Sequence, residues 1–142
     1  MWSCDHSEPL TIEGEKEYKI RTDCGNISVT ANTFGRRIWI YLKLDGDFTL
    51  NQDSLKIEFS PSASAIDMEL CKILENYDRI KVEDKVIKIK NEKARYSLGF
   101  MMQGGDYFVT ESTIITLLPS NFITCKNKPL INDTIKIKLR TK

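Results

Sequence analysis

The stretch from Arg37 to Leu44 leaves this chain little choice of secondary structure. Ile38, Ile40, Leu42 and Leu44 alternate with Arg37, Trp39, Tyr41 and Lys43, and a period of two places the first set on one face of an extended chain and the second on the other. The expected element is the middle strand of a sheet, with one dry face in an inter-sheet core and one aromatic face.

Similar alternation recurs along the chain. Tyr18 with Ile20, then Ile27, Val29 and Ala31, predict two strands joined by a turn over Thr22 to Asn26, where Gly25 and Asn26 tolerate positive φ. Asp45-Gly46 predicts a hairpin, with Phe48 and Leu50 on its return strand. Leu55, Ile57 and Phe59 form the clearest half-buried strand, ended by Ser60-Pro61-Ser62 because proline cannot donate to a ladder. From Ala63 to Tyr77 the pattern changes: Ile66, Leu70, Ile73, Leu74 and Tyr77 are spaced as a helical stripe, with Ser64 as its cap, and a short helical crossover is expected over an alternative strand. Ile80 with Val82 and Ile87 with Ile89 flank Glu83-Asp84-Lys85 as a hairpin. Tyr96, Leu98, Phe100 and Met102 face one way, a strand from Tyr107 to Leu118 follows, Pro119 to Pro129 reads as a loop, and Thr134 to Leu139 closes the domain.

About eight to ten short strands punctuated by Gly, Pro, Asn and Asp imply an all-β, antiparallel β-sandwich with one short helical crossover. Residues 1–16 read as a flexible leader and 17–142 as one domain. A domain of 142 residues buries about 68–70% of its unfolded surface, enough to stand without metals or disulfides. Apolar content of 41% and charged content of 29% exclude a disordered chain and a membrane bundle. A formal charge of +1 provides no strong field for nucleic acid or anionic lipid, and no run approaches the about 18 apolar residues of a spanning helix.

Two resemblances carry further expectations. Cys24, Trp39 and the segment Glu92-Lys93-Ala94-Arg95-Tyr96-Ser97-Leu98 resemble the cysteine, tryptophan and tyrosine corner of immunoglobulin domains, with Leu98 in place of the second cysteine. That resemblance implies an immunoglobulin-like sandwich. Met1-Trp2-Ser3-Cys4 resembles the junction of a bacterial lipoprotein: Ser3 suits the position before the acylated cysteine, Trp2 departs from the usual small residue, and the apolar signal stretch would lie upstream of Met1. This implies a lipid on Cys4 and an extracytoplasmic, membrane-anchored location in the periplasm or at the cell surface. The alternatives are a free cysteine on a frayed tail and a cytoplasmic protein.

Cys4, Cys24, Cys71 and Cys125 lack the close spacing of zinc or thioredoxin sites, so no metal is expected. One bridge at most is expected, between Cys24 and Cys125, since both lie in expected turns where sandwich loops can meet; buried free thiols are an equal alternative. His6 is the only histidine and lies in the leader, which argues against histidine-based catalysis and for a chain that is not an enzyme and takes no cofactor. Asp45, Asp47, Asn51 and Asp53 read as turn residues rather than calcium ligands. Lys88 and Lys90, and Lys136, Lys138, Arg140 and Lys142, form basic rows that discourage edge pairing or meet an acidic partner. Asn26-Ile27-Ser28 and Asn132-Asp133-Thr134 fit the glycosylation pattern.

Trp39 and Tyr41 are the candidate ligand-binding residues, forming a platform for a sugar, a peptide or another protein if their face is open. The expected function is a non-catalytic binding, adhesion or scaffold module. The competing expectation is an intracellular protein-interaction module, of immunity or viral structural type, with the same fold and no anchor.

Overall fold

The computed structural model describes residues 10–13, 17–34, 37–60, 63–103, 114–118, 122–126, 128–129 and 135–138. In chain order the strands are β1 (Leu10–Glu13), β2 (Tyr18–Thr22), β3 (Gly25–Phe34), β4 (Arg37–Asn51), β5 (Lys56–Ser60) and β6 (Ser64–Ile73). They continue as β7 (Arg79–Lys81), β8 (Val86–Gln103), β9 (Ile114–Leu118), β10 (Ile123–Cys125), β11 (Lys128–Pro129) and β12 (Ile135–Lys138). Gln52–Ser54 forms a 3-10 turn, and no α-helix occurs among the described residues. The all-β class expected from the alternation is what forms.

Two sheets result. The larger runs β2-β3-β4-β8-β6-β7, with β10 on the same flank of β4 as β3 and β11 beyond it. The smaller runs β1-β12-β9-β5, antiparallel except for the β1–β12 pair. They meet where Phe59 of β5 sets its ring edge-on to Phe100 of β8, with centroids 6.1 Å apart.

The centre of the larger sheet is the strand that begins at Arg37. Across one of its edges Ile40 faces Ala31, Leu42 faces Val29 and Leu44 faces Ile27; across the other, Ile38 faces Phe100, Ile40 faces Leu98 and Leu42 faces Tyr96. All of these are buried in one core. Each large apolar side chain so buried contributes about 1.5–3 kcal/mol, which fixes the register: a slip of one residue would turn the whole row outward.

Several expectations need correction. Asp45-Gly46 does not turn the chain, because β4 continues through it with paired strands on both flanks. Gly46 is required for a different reason: it lies opposite Gly25 at φ +141°, where a Cβ would strike the Cys24 carbonyl, and Gly25 reciprocally faces the carbonyl of Asp45. The expected helix over Ala63 to Tyr77 is instead mainly strand β6, paired with β8. A bulge between Ile66 and Glu69, with Asp67 at φ +54°, inserts one extra residue. Ala65 opposite Met102 and Leu70 opposite Leu98 therefore share the core face although they are five positions apart, an odd gap that breaks the strand period of two in the bare sequence.

A second bulge explains β8. Opposite the Gly46–Phe48 step this strand carries an extra residue, so the core set changes from Ala94 to Ile89. Asn91 sits there at φ +46°, a conformation asparagine accepts, and its N–H donates to Asp47 Oδ1 at 2.8 Å. The hairpin expected around Glu83-Asp84-Lys85 does not form, since Arg79–Lys81 pairs with β6. Part of the expected loop from Pro119 to Pro129 forms β10 and β11. Leu10–Glu13, within the segment read as a leader, pairs in parallel with β12.

The expected Cys24–Cys125 bridge is present, with Cα atoms 6.0 Å apart, and Cys71 is free and buried. It ties the β2–β3 turn to β10. Thr22 shapes that turn, its hydroxyl accepting from the N–H groups of Cys24 and Gly25 and donating to the Gly25 carbonyl. The bridge thus links two neighbours along one flank of β4, whereas the immunoglobulin bridge joins opposite sheets. Tyr96 lies in mid-strand within the core rather than at a corner.

Candidate functional site

The outer face of β4 carries Arg37, Trp39, Tyr41 and Lys43, opposite Met101, Gly99, Ser97 and Arg95 of β8. Trp39 and Tyr41 are both half-buried. Among the described residues, part of the cover comes from two arginines. The Arg37 guanidinium lies 5.5 Å from the Trp39 ring centre, and that of Arg79 lies 5.7 Å from the Tyr41 ring. Arg79 Nη2 also donates to the Tyr41 hydroxyl at 3.1 Å.

That last bond spans from β7 to β4, across β6 and β8. It is possible because the residues between are small. Ser97 faces Tyr41 on one side and Cys71 on the other, so a long arginine and a tyrosine can meet above them. Gly99 has the same effect beside Trp39: a Cβ there would come within 3.3 Å of the indole Cδ1. The outcome is a half-open cavity of about 250 Å³ floored by Cys71, Ser97 and Gly99 and walled by Arg37, Trp39, Glu69, Arg79 and Lys81.

Three cations and one carboxylate surround this space, and none of the three forms a salt bridge among the described residues. Glu69 is engaged otherwise, its Oε1 accepting from Cys71 Sγ at 3.1 Å. Burial, and next the Glu69 carboxylate, push the Cys71 thiol up to about 11, against the opposing pull of Arg79 and Lys81. Cys71 is therefore a neutral thiol at pH 7, not a nucleophile. Ser97 is 3% exposed, and its hydroxyl has no hydrogen-bond partner among the described residues.

A second depression, of about 600 Å³, adjoins on the same face and is lined by Lys19, Arg21, Lys43, Lys93 and Arg95, with Glu75 and Asp45 as its acids. Arg95 closes one side, donating to the Leu74 carbonyl at 2.8 Å and lying 5.1 Å from the Tyr77 ring centre. Lys43 reaches Glu17 at 3.3 Å.

The other candidates fall elsewhere. Cys4, His6 and Asn132 lie outside the described residues, as do Arg140 and Lys142. Lys88 and Lys90 are exposed on β8, away from the cavity, while Lys136 and Lys138 belong to β12. Asn26 is exposed on β3. The acidic run has local structural tasks: Asn51 caps the 3-10 turn, Asp47 holds the β8 bulge, and Asp53 pairs with Lys85 at 3.6 Å. No group of three or more potential metal ligands stands together among the described residues.

Sequence reasoning pointed to Trp39 and Tyr41 and missed Arg79, Lys81, Ser97 and Gly99. A glycine inside a long apolar strand, two positions from a serine, was the available signal, because such a glycine marks close approach by another group. No known protein family, curated protein or solved structure matches this chain.

Proposed function

We propose that this chain is a non-catalytic binding module, of adhesion, scaffold or ligand-capture type, that engages a carbohydrate or protein partner through the outer face around Trp39 and Tyr41. The observation that carries this reading is the arginine-clamped aromatic pair beside a cavity with a small-residue floor. Fixed, half-open aromatic side chains are suited to contact, since little rotamer freedom remains to be lost on binding. The immunoglobulin-like form of the sandwich belongs to the same proposal and rests on the two-sheet arrangement, not on the bridge or the tyrosine.

Export and tethering through a lipid on Cys4 complete the proposal. The Cys24–Cys125 bridge favours an oxidising compartment, where disulfides persist. Labelling cells with an alkyne fatty acid tests the anchor: label on the wild-type protein and none on Cys4→Ser supports it, whereas equal labelling or none on either removes it. The binding reading is tested by probing arrays of glycans and peptides with the full chain, Trp39→Ala and Tyr41→Ala. Binding that both variants abolish is the expected result. Wild-type binding unchanged in both variants refutes the assignment of this face.

A further inference from the structure

We propose that the ligand of the cavity beside Trp39 is an acidic saccharide unit, its carboxylate or sulfate held between Arg37, Arg79 and Lys81 and hydrogen-bonded by the Ser97 hydroxyl. This names the ligand class for the face assigned above and rests on that assignment.

Charge is the first argument. Arg37, Arg79 and Lys81 line one small space, and the single carboxylate there already accepts from Cys71. Among the described residues the Arg37 guanidinium and the Lys81 ammonium donate no hydrogen bond and Arg79 uses one N–H of its fork, leaving other donors for an oxyanion. The second argument is independent of charge. A serine that is 3% exposed and whose hydroxyl has no partner among the described residues is unusual, because buried polar groups are nearly always paired. Ser97 lines the cavity floor, where a bound oxyanion supplies the missing acceptor.

Size and field select the ligand class. A space of about 250 Å³ suits one ring and its charged substituent. A net charge of +1 is too small to favour an extended polyanion such as nucleic acid. Trp39 at the rim supplies apolar contact for a ring that carries hydroxyl groups on its edges. Gly99 leaves room for the indole, since a Cβ there would come within 3.3 Å of it.

The experiment is a protein-observed NMR titration of the full oxidised chain with methyl glucuronide, a 6-sulfated methyl galactoside, neutral methyl glucoside and inorganic sulfate. At least one acidic sugar should bind about tenfold or more tightly than the neutral sugar and than sulfate alone. Arg79→Gln combined with Lys81→Gln, and separately Ser97→Ala, should each weaken it by about tenfold. Ser97→Ala removes only a hydroxyl that has no partner among the described residues, so its melting temperature should not fall, and a lowered affinity then reports the ligand contact. Neutral sugar binding as well as acidic sugar overturns the anion assignment, and sulfate binding as tightly as either acidic sugar overturns the saccharide. If none of the four binds while Trp39-dependent binding persists on the arrays, this inference fails and the binding-module reading stands. Failure on both removes both.

Discussion

Removing the Cys24–Cys125 bridge should expose how much of this fold depends on one covalent tie. The two cysteines are 101 positions apart, so the bridge closes most of the chain into a loop. In the chain-entropy description, a loop of that length removes about 16 cal/mol/K from the unfolded ensemble, or about 4.7 kcal/mol at 25 °C. Against a typical domain stability of about 5–15 kcal/mol this is between a third and nearly all of it. With an unfolding entropy of about 2.1 cal/mol/K per residue, the 142-residue chain should melt about 15 °C lower without the bridge. The assay is thermal unfolding followed by near-UV circular dichroism for wild type, reduced wild type, and the Cys24→Ser/Cys125→Ser pair. Reduced and doubly substituted proteins should agree, because neither has the loop constraint. A fall of less than about 4 °C in the double variant would refute the reasoning, showing that β10 is held by its pairing to β4 or that the unfolded chain is already constrained.

Two further outcomes follow from backbone and burial. Gly46→Ala should destabilise by about 2–4 kcal/mol in urea unfolding, through positive φ and collision with the Cys24 carbonyl, whereas Gly99→Ala meets only a side chain that can shift and should lose less than about 1 kcal/mol; equal losses would sink the distinction. Cys71 has a folded value of about 11 against 9.0 for the unfolded chain, so it adds no pH dependence below about pH 9 and costs stability as pH rises towards 11, where the unfolded chain ionises first. Wild type should lose up to about 3 kcal/mol more than Cys71→Ala across that window, and parallel losses in the two proteins would contradict it.

Legibility in the sequence followed regularity. Where alternation was unbroken, from Arg37 to Leu44 and from Tyr96 to Met102, strand and buried face were both readable, since a period of two has one meaning on a pleated strand. Where a bulge inserted a residue, the pattern gave the wrong element. Leu70 follows Ala65 by five, an odd gap that hides the period of two until the partner strand is known. Asp45-Gly46 failed for a related reason: the pair that favours a hairpin is also the pair that tolerates a facing backbone at close range.

The candidate site divides in the same way. Trp39 and Tyr41 were legible because they share a strand and are aromatic. Their partners were not, since Arg79 and Lys81 come from a strand that meets β4 only through two intervening strands, and Ser97 and Gly99 matter for what they leave empty. The sequence by itself determined an all-β chain with β4 at its centre and which face of that strand enters the core, because period and turn residues are local. Tertiary structure alone decided the two bulges, the order of the strands and the cavity, because these depend on which distant segments supply the missing hydrogen bonds and how large their side chains are.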